Sequence, residues 1–461
     1  MAIARRAQES SRHLRRTRET IIFVKAGNQR LAMEGKTKKM KFNTVSVIGL
    51  GYIGLPTAAV LASRGVKVIG VDVNQHAVDT INAGRIHIIE PDLDAMVKDV
   101  VETGHLRATT RPESADAFMI AVPTPFKGDH EPDLTYVEAA IRSIAPVLKK
   151  GDLVILESTS PVGSTELMAQ WLSEERPDLS FPHQAGEAAD IGMAYCPERV
   201  LPGKILQELV ENDRVVGGLT PRCAERAAAL YKIFVKGECI ITNARTAEMC
   251  KLTENSFRDV NIAFANELSL ICDELGINVW ELIRLANHHP RVKILQPGPG
   301  VGGHCIAVDP WFIVHSSPKM ARLIRTAREV NDHKPHAVIE KVKAAAKKFA
   351  NPAIACLGLS FKADIDDLRE SPSVEIVQRL QESKLGVLYV AEPHIDALPS
   401  NLTGEGVIFT DAKEAVAKAE IVLLLVNHQA FSGISIAALN GKVIIDTRGL
   451  WENFDGQRLV M

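Results

Sequence analysis

Residues 45–72 constrain the fold more tightly than any other part of the chain. Val45-Ser46-Val47-Ile48 is an apolar run of the kind that forms a buried strand, and Gly49-Leu50-Gly51-Tyr52-Ile53-Gly54 follows at once. Leu55 to Arg64 then carry an apolar pattern of helical period, and Val66 to Val71 form a second strand-like run closed by Asp72. Strand, G-x-G-x-x-G, helix, strand and an acid about 20 residues on is the dinucleotide-binding fingerprint. The glycines permit a tight turn and let a pyrophosphate approach the unpaired N–H groups at a helix N-terminus. Asp72 would accept hydrogen bonds from an adenosine ribose and repel a 2′-phosphate, so the pattern favours NAD over NADP. Gly49, Gly51, Tyr52, Ile53, Gly54 and Asp72 are the expected cofactor contacts.

The same alternation continues. Ala117 to Val122 run into Pro123-Thr124-Pro125, and Leu153 to Leu156 run into Glu157-Ser158-Thr159-Ser160-Pro161-Val162-Gly163. Both read as buried parallel strands that break into polar turns. Ligands of open α/β sheets sit beyond the carboxyl ends of strands, so Thr124 and Thr159 are candidate contacts. Threonines after strands also cap following helices, and spacing alone leaves both readings open. Met193-Ala194-Tyr195-Cys196 leads in the same way to Pro197-Glu198-Arg199-Val200, which sets Glu198 and Arg199 on that edge.

From Thr246 to about Leu275 the pattern is helical and apolar around much of its circumference, as expected of a buried spine between domains. Lys251, Asn255 and Arg258 lie near one of its faces, since residues three and four apart stack on successive turns. Such a trio is either a solvated face paired with Glu248 and Glu254, or a functional one. After Asn331 to Pro335 and a further helix, a second α/β pattern begins. It has strands at Ala353–Leu359, Gly386–Val390, Ile421–Val426 and Lys442–Ile445. Its first strand runs into Ser360-Phe361-Lys362 and on to Arg369, cations suited to phosphate at a ligand edge. The fold class is therefore α/β, with two Rossmann-like parallel-sheet domains joined by a helical central domain. Two nucleotide-type ligands meeting between them point to a nucleotide-linked substrate.

One loop carries the chemistry. Pro297-Gly298-Pro299-Gly300-Val301-Gly302-Gly303-His304-Cys305 cannot be the interior of a helix or strand, but its backbone can approach a ligand closely. It presents Cys305 as a candidate nucleophile close to Asp309. The other six cysteines are scattered, with no C-x-x-C pair and no zinc spacing. They read as small buried apolar groups in a reducing cytoplasm, and no metal is expected. A net charge of −2 argues against nucleic acid as the main partner. No apolar run reaches the roughly 18 residues of a membrane span. The first 40 residues are basic and poor in acids, without a secretory h-region. They read as a disordered extension or as sequence ahead of a start near Met33 or Met40, although an Arg- and Ser-rich start can resemble a transit peptide.

Taken in order, Gly49–Gly54, Thr159–Gly163, Cys196–Arg199, Lys251–Asn255, Gly298–Pro310 and Phe361–Pro372 resemble the UDP-glucose/GDP-mannose dehydrogenase family, over nearly everything from Phe42 onward. His288-His289-Pro290-Arg291-Val292, His304 and Val122–Lys127 resemble the bacterial members that oxidise UDP-N-acetyl-D-mannosamine for enterobacterial common antigen. His288 departs from the expected arginine, and the basic extension is foreign to the family. Beyond the basic extension over 1–40, the resemblance implies an NAD-binding Rossmann domain over 41–240 and a helical central, dimerising domain with the cysteine loop over 241–345. A UDP-sugar-binding Rossmann-like domain would follow over 346–461.

The resemblance also implies a two-step NAD-dependent oxidation of a sugar carbon-six alcohol through a Cys305 thiohemiacetal and thioester. Lys251 would supply positive charge to the thiol and hold the developing alkoxide, and Asn255 would help form that oxyanion site. Glu198 and Asp309 are the available general bases, with their division of steps left open, and Thr159 joins the catalytic set. Arg199, Val200, Lys251, Asn255, Arg258, His289, Arg291, Gly302, Phe361 and Lys362 would contact a UDP-linked amino sugar, with Arg291 reaching from a partner subunit of a homodimer or higher homo-oligomer. Arg369 would contact the cofactor across the cleft. Within the family, UDP-N-acetylglucosamine or UDP-glucose is the alternative substrate; outside it the rivals are a single-step hydroxyacid dehydrogenase, which needs neither Cys305 nor the third domain, and a non-catalytic nucleotide-sugar or NAD sensor.

Overall fold

The computed structural model describes residues 42–451 except Ile89, Asp129, Pro202 and His304. The basic extension and the histidine before the cysteine therefore lie outside the described residues. The apolar runs between glycine and proline turns form strands because only burial on both sheet faces satisfies them. In chain order these begin with β1 (Thr44–Ile48), β2 (Lys67–Val71), β3 (Leu106–Thr109) and β4 (Ala117–Ile120). A small antiparallel hairpin, β5 (Phe126–Lys127) with β6 (Glu131–Pro132), then leaves the sheet. β7 (Leu153–Leu156), β8 (Gly192–Tyr195), β9 (Arg214–Gly218) and β10 (Cys239–Asn243) complete it, in the spatial order β10-β9-β8-β7-β4-β1-β2-β3.

From β3 to β8 every pairing is parallel. β9 turns antiparallel to β8, and β10 follows β9. These last two strands extend the sheet beyond the sequence expectation. Their runs are short, and Arg214 and Thr242 interrupt the apolar pattern. The strand order reverses at β1, between β2 and β4, and this switch point opens the ligand crevice at the carboxyl edge.

The second sheet contains β11 (Ala353–Leu357), β12 (Val387–Ala391), β13 (Val407–Phe409), β14 (Ile421–Leu424) and β15 (Val443–Asp446). It is parallel throughout, in the order β13-β12-β11-β14-β15. Helices pack on both sheets, and six of them position the site: α1 (Gly54–Ser63), α2 (Ser164–Glu175), α3 (Ala244–Leu275), α4 (Asp309–Ser316), α5 (Arg322–Ala346) and α6 (Pro372–Glu382).

α3 departs from the expected apolar, buried spine. The face it buries against α5 is polar: Asp259, Asn266 and Ser269 meet Arg328, Asn331 and Lys334, all at most 1% exposed. Arg328 donates to Asp259 at 2.6 Å, Asn331 to Asp259 at 2.8 Å, and Asn266 to Asn331 at 2.9 Å. The apolar side chains instead point outward, with Phe257 68%, Phe264 51% and Ile271 45% exposed in the single chain. Pro335 does not break α5, which runs through it to Ala346. Proline removes one helical donor, but this cross-helix network and the seat of Pro335 against Gly300 hold the segment.

Candidate active site

The first crevice is built by three turns. Gly49 has φ +90, and a Cβ there would lie 2.6 Å from the Ala121 carbonyl oxygen of the neighbouring turn. A Cβ on Gly54 would meet the Gly49 carbonyl oxygen at 1.8 Å, so this position fixes how closely α1 follows β1. At Gly51 nothing lies within 4 Å, leaving open space in front of the α1 N-terminus. Asp72 holds the loop from below, accepting from Leu50 N and Asn74 N at 2.9 Å each. Open backbone donors at a helix start, with a carboxylate at the end of β2, fit the pyrophosphate and ribose of a dinucleotide. Tyr52 is exposed on this rim.

Thr124 and Thr159 do not cap helices. The residue before α2 is Gly163, which has no side-chain oxygen. Thr124 instead donates to the Thr159 carbonyl oxygen at 2.5 Å, tying the turn after β4 to the turn after β7. That second turn is pinned to α3 by Glu248. This fully buried carboxylate accepts from Gly163 N at 2.6 Å, Thr165 N at 2.9 Å and the Thr165 hydroxyl at 2.7 Å. Burial pushes its pKa up against those bonds. Glu248 and Glu254 therefore do not pair with the Lys251 trio: Glu254 binds Arg199 at 2.9 Å.

The glycine loop approaches the protein's own second sheet. Gly298 N donates to Asn266 on α3 at 2.8 Å, and a Cβ on Gly298 would lie 2.7 Å from the Arg448 guanidinium. A Cβ on Gly302 would meet the Glu370 carbonyl oxygen at 2.3 Å, and one on Gly303 would meet the Phe361 ring at 3.0 Å. The loop thus delivers Cys305 from a rigid seat at the start of α4. Cys305 is exposed, and its carbonyl accepts from Asp309 N at 2.9 Å. Asp309 is buried, and Asn255 on α3 donates to it at 2.5 Å. Lys251, one turn earlier on α3, is half-buried.

The electrostatics join these groups. Desolvation pushes the Asp309 carboxyl up to about 6, with the Lys251 charge and the Asn255 bond opposing. Desolvation also raises the Cys305 thiol, and Asp309 adds to the rise, while Lys251 and Arg369 pull it down. Lys251 thus acts on the thiol in the direction the sequence suggested, and burial and the adjacent carboxylate outweigh it.

The remaining expected residues are placed unequally. Glu198 lies at the β8 edge, buried against Arg214 at 2.6 Å. Val200 is half-buried beside Arg199. Phe361 is half-buried and Lys362 exposed beyond β11, while Arg369 forms a local pair with Asp367. Arg258 is exposed on α3. His289 and Arg291 sit on an exposed turn after the helix Val279–Ala286, bonded to each other through Arg291 N and His289 Nδ1 at 3.3 Å. They stand apart from the pairings that join Asn255 to Asp309 and Arg199 to Glu254.

The sequence reading missed Arg448. Its guanidinium, which donates to the Leu425 carbonyl oxygen at 3.1 Å, is packed in enough protein that burial pushes its pKa down to about 10, against the Asp446 charge. The available signal was its place just after the strand that ends at Asp446. Elsewhere, Asp364, His394 and His428 bring ligand-type atoms within 4.8 Å of one another. His428 Nδ1 already accepts the Asp364 N–H at 2.9 Å and its Nε2 faces Glu392 at 3.0 Å. That imidazole ties the loop after β11 to the end of β12. A cavity of about 400 Å³ behind the cysteine loop, between Phe126, Trp311, Asn331 and Glu370, is lined by none of Cys305, Lys251 or Asn255.

Two crevices flanking a cysteine loop have a counterpart among known proteins. Profiles of the UDP-glucose/GDP-mannose dehydrogenase family match in three successive parts: the NAD binding domain over residues 43–235, the central domain over 245–333 and the UDP binding domain over 355–453. The chain belongs to this family. It is a dehydrogenase whose cofactor is NAD, and its UDP binding domain fits a UDP-linked sugar as substrate class.

An NDP-N-acetyl-D-galactosaminuronic acid dehydrogenase of Ralstonia nicotianae is 68% identical over 410 residues, 89% of this chain and 96% of that protein. A UDP-N-acetyl-D-mannosamine dehydrogenase of Yersinia pestis is 66% identical over 420 residues, 89% of this chain and all of that protein. Among solved structures, the UDP-D-ManNAc dehydrogenase of Pyrococcus horikoshii superposes with a TM-score of 0.80 at 38% identity, covering 90% of this chain and 99% of that one. Among the described residues, no helix is long and apolar enough to cross a membrane.

Proposed function

We propose that the chain oxidises the carbon-six alcohol of UDP-N-acetyl-D-mannosamine to the carboxylate, through a thioester on Cys305. The observation that carries this reading is an exposed thiol whose electrostatic neighbours are Lys251 and Asp309, the latter held by Asn255. An alcohol-to-aldehyde oxidation needs only a base and a hydride acceptor. The added thiol on a rigid loop suits the second oxidation, because it can hold the aldehyde carbon covalently.

The α1 N-terminus, Asp72, Thr124 and Thr159, with Arg369 across the cleft, would hold NAD, which would supply the hydride acceptor for each of the two oxidations. Asp309 takes the proton of the substrate alcohol, and Lys251 steadies the developing alkoxide. Cys305 sulfur adds to the aldehyde carbon, and loss of a hydride and the hydroxyl proton from that thiohemiacetal leaves the thioester. Glu198 removes a proton from the attacking water, the carbon–sulfur bond breaks, and the thiol regains a proton. The balance is one alcohol, one water and two NAD giving one carboxylate, two NADH and three protons. Asn255 thus holds Asp309, while Arg199, Val200, Arg258, Gly302, Phe361 and Lys362 line the sugar-nucleotide side. His289 and the partner subunit's Arg291 would complete that side in a homodimer built on the apolar face of α3. We assign the product to bacterial surface-polysaccharide synthesis, enterobacterial common antigen by resemblance.

The Ralstonia relative favours a second reading in which the substrate is UDP-N-acetyl-D-galactosamine. A panel of UDP-ManNAc, UDP-GalNAc, UDP-GlcNAc and UDP-glucose, followed by NADH absorbance, separates the two. Two NADH per UDP-ManNAc, with Cys305→Ser retaining NAD binding and forming no acid, is the expected result. One NADH with release of free aldehyde would refute the thioester route.

A further inference from the structure

Glu198 has both carboxylate oxygens engaged by its own protein. Oε1 accepts from Arg199 N at 2.6 Å, and Oε2 accepts from Arg214 Nη1 at 2.6 Å. Arg214 begins β9, an element with no part in either crevice fingerprint, and both members of this pair are nearly sealed from solvent. The guanidinium is seated by the protein, donating to the Leu209 carbonyl oxygen at 3.3 Å and lying 5.5 Å from the Tyr231 ring centroid. Tyr231 in turn donates to the buried Glu157 at 2.7 Å. Desolvation and the Glu198 charge push the Glu157 carboxyl up to about 7.

A surface glutamate would need no such partner. A carboxylate removed from water does, because each buried oxygen must find its donor inside the protein. We propose that Arg214 is a positioning residue for thioester hydrolysis, holding the Glu198 carboxylate aimed so that it can take a proton from water. Arg214 touches neither substrate nor cofactor in this assignment and acts only through Glu198. The inference rests on the proposed role of Glu198 as the water-activating base.

Stopped-flow NADH release and intact-protein mass, with Arg214→Lys, Arg214→Gln and Glu198→Gln beside the native enzyme, test it. Both hydride transfers precede hydrolysis, so the Arg214 variants should keep a burst of two NADH per site. Their steady-state rates should then fall, and a sugar-nucleotide acyl adduct should accumulate on Cys305. General-base contributions are typically about 100-fold or more, so hydrolysis should slow at least ~10-fold in Arg214→Gln. A lysine is a point charge that cannot reach both Glu198 and the Leu209 carbonyl, so Arg214→Lys should be intermediate, about 3- to 10-fold slow. If the glutamine variant does not fold, the lysine variant decides alone.

Native hydrolysis in a folded Arg214 variant overturns the proposal, as does an equal slowing of the first hydride transfer, which would mark a merely structural residue. If Glu198→Gln accumulates adduct while folded Arg214 variants do not, only the Arg214 assignment falls. If Glu198→Gln itself accumulates none, the base assignment is wrong, and this inference goes with it.

Discussion

Burial alone would drive the Asp309 carboxyl far from its ordinary range, and Lys251 and Asn255 draw it back only to about 6. The folded protein therefore binds this proton more tightly than the unfolded chain, whose aspartate titrates near 3.8. The resulting stabilisation is complete below that unfolded value and is lost as pH rises through about 6. Asp309→Asn should accordingly raise stability at pH 8 by about 1–3 kcal/mol, with the gain shrinking toward pH 4 in urea melts. The same variant should lose most activity, roughly 100-fold or more if a proton transfer is lost. In the native enzyme, turnover should rise with pH through about 6 as Asp309 ionises. Cys305 and Asp309 were legible as residues, since a cysteine on a Gly/Pro loop followed by Asp-Pro is rare enough to read. Their charge balance was not, because desolvation depends on atoms brought in from three separate parts of the chain.

At the level of elements, the contact between α3 and α5 is an interface of buried polar side chains. Lys334 is its least comfortable member. Desolvation, together with Lys341, pushes its ammonium down to about 7, and Asp273 only partly opposes this. A lysine held below its unfolded value contributes stability at high pH that is lost as pH falls toward about 7. Lys334→Met should therefore stabilise the protein by about 1–3 kcal/mol at pH 7, and by less at pH 10, in thermal or urea unfolding. Ser269, its partner, would not be stranded, because its hydroxyl also bonds the Asn266 carbonyl at 2.6 Å. The helical period of α3 was readable from sequence. Which face it would bury was not, since an outward Phe257-Phe264-Ile271 stripe and an inward one give the same pattern.

For the whole molecule, that outward stripe is the largest unsatisfied feature of α3. Phe257, Phe264 and Ile271 recur at seven-residue spacing and so share one face. Phe264→Glu should convert a dimer to monomers in sedimentation or light scattering, while leaving NAD binding at the α1 crevice in place. A native protein that is already monomeric at micromolar concentration would remove the partner role given to Arg291. The site itself is distributed on the same scale: α3 supplies Lys251 and Asn255, the loop before α4 supplies the thiol, and the edge of the second sheet supplies the seat on which that loop rests.

The chain's own letters determined the α/β class, both nucleotide folds and the choice of NAD, and they singled out Cys305 as the candidate thiol. Each of these depends on local spacing, which period, glycine geometry and chain order express directly. Only the tertiary structure decided that the glycines bring the loop against Phe361 and Arg448, that Glu248 caps α2, and that Arg214 holds Glu198. It also decided that the spine buries its polar face. Those outcomes follow from long-range packing and desolvation, and neither can be read from residues that are neighbours only in sequence.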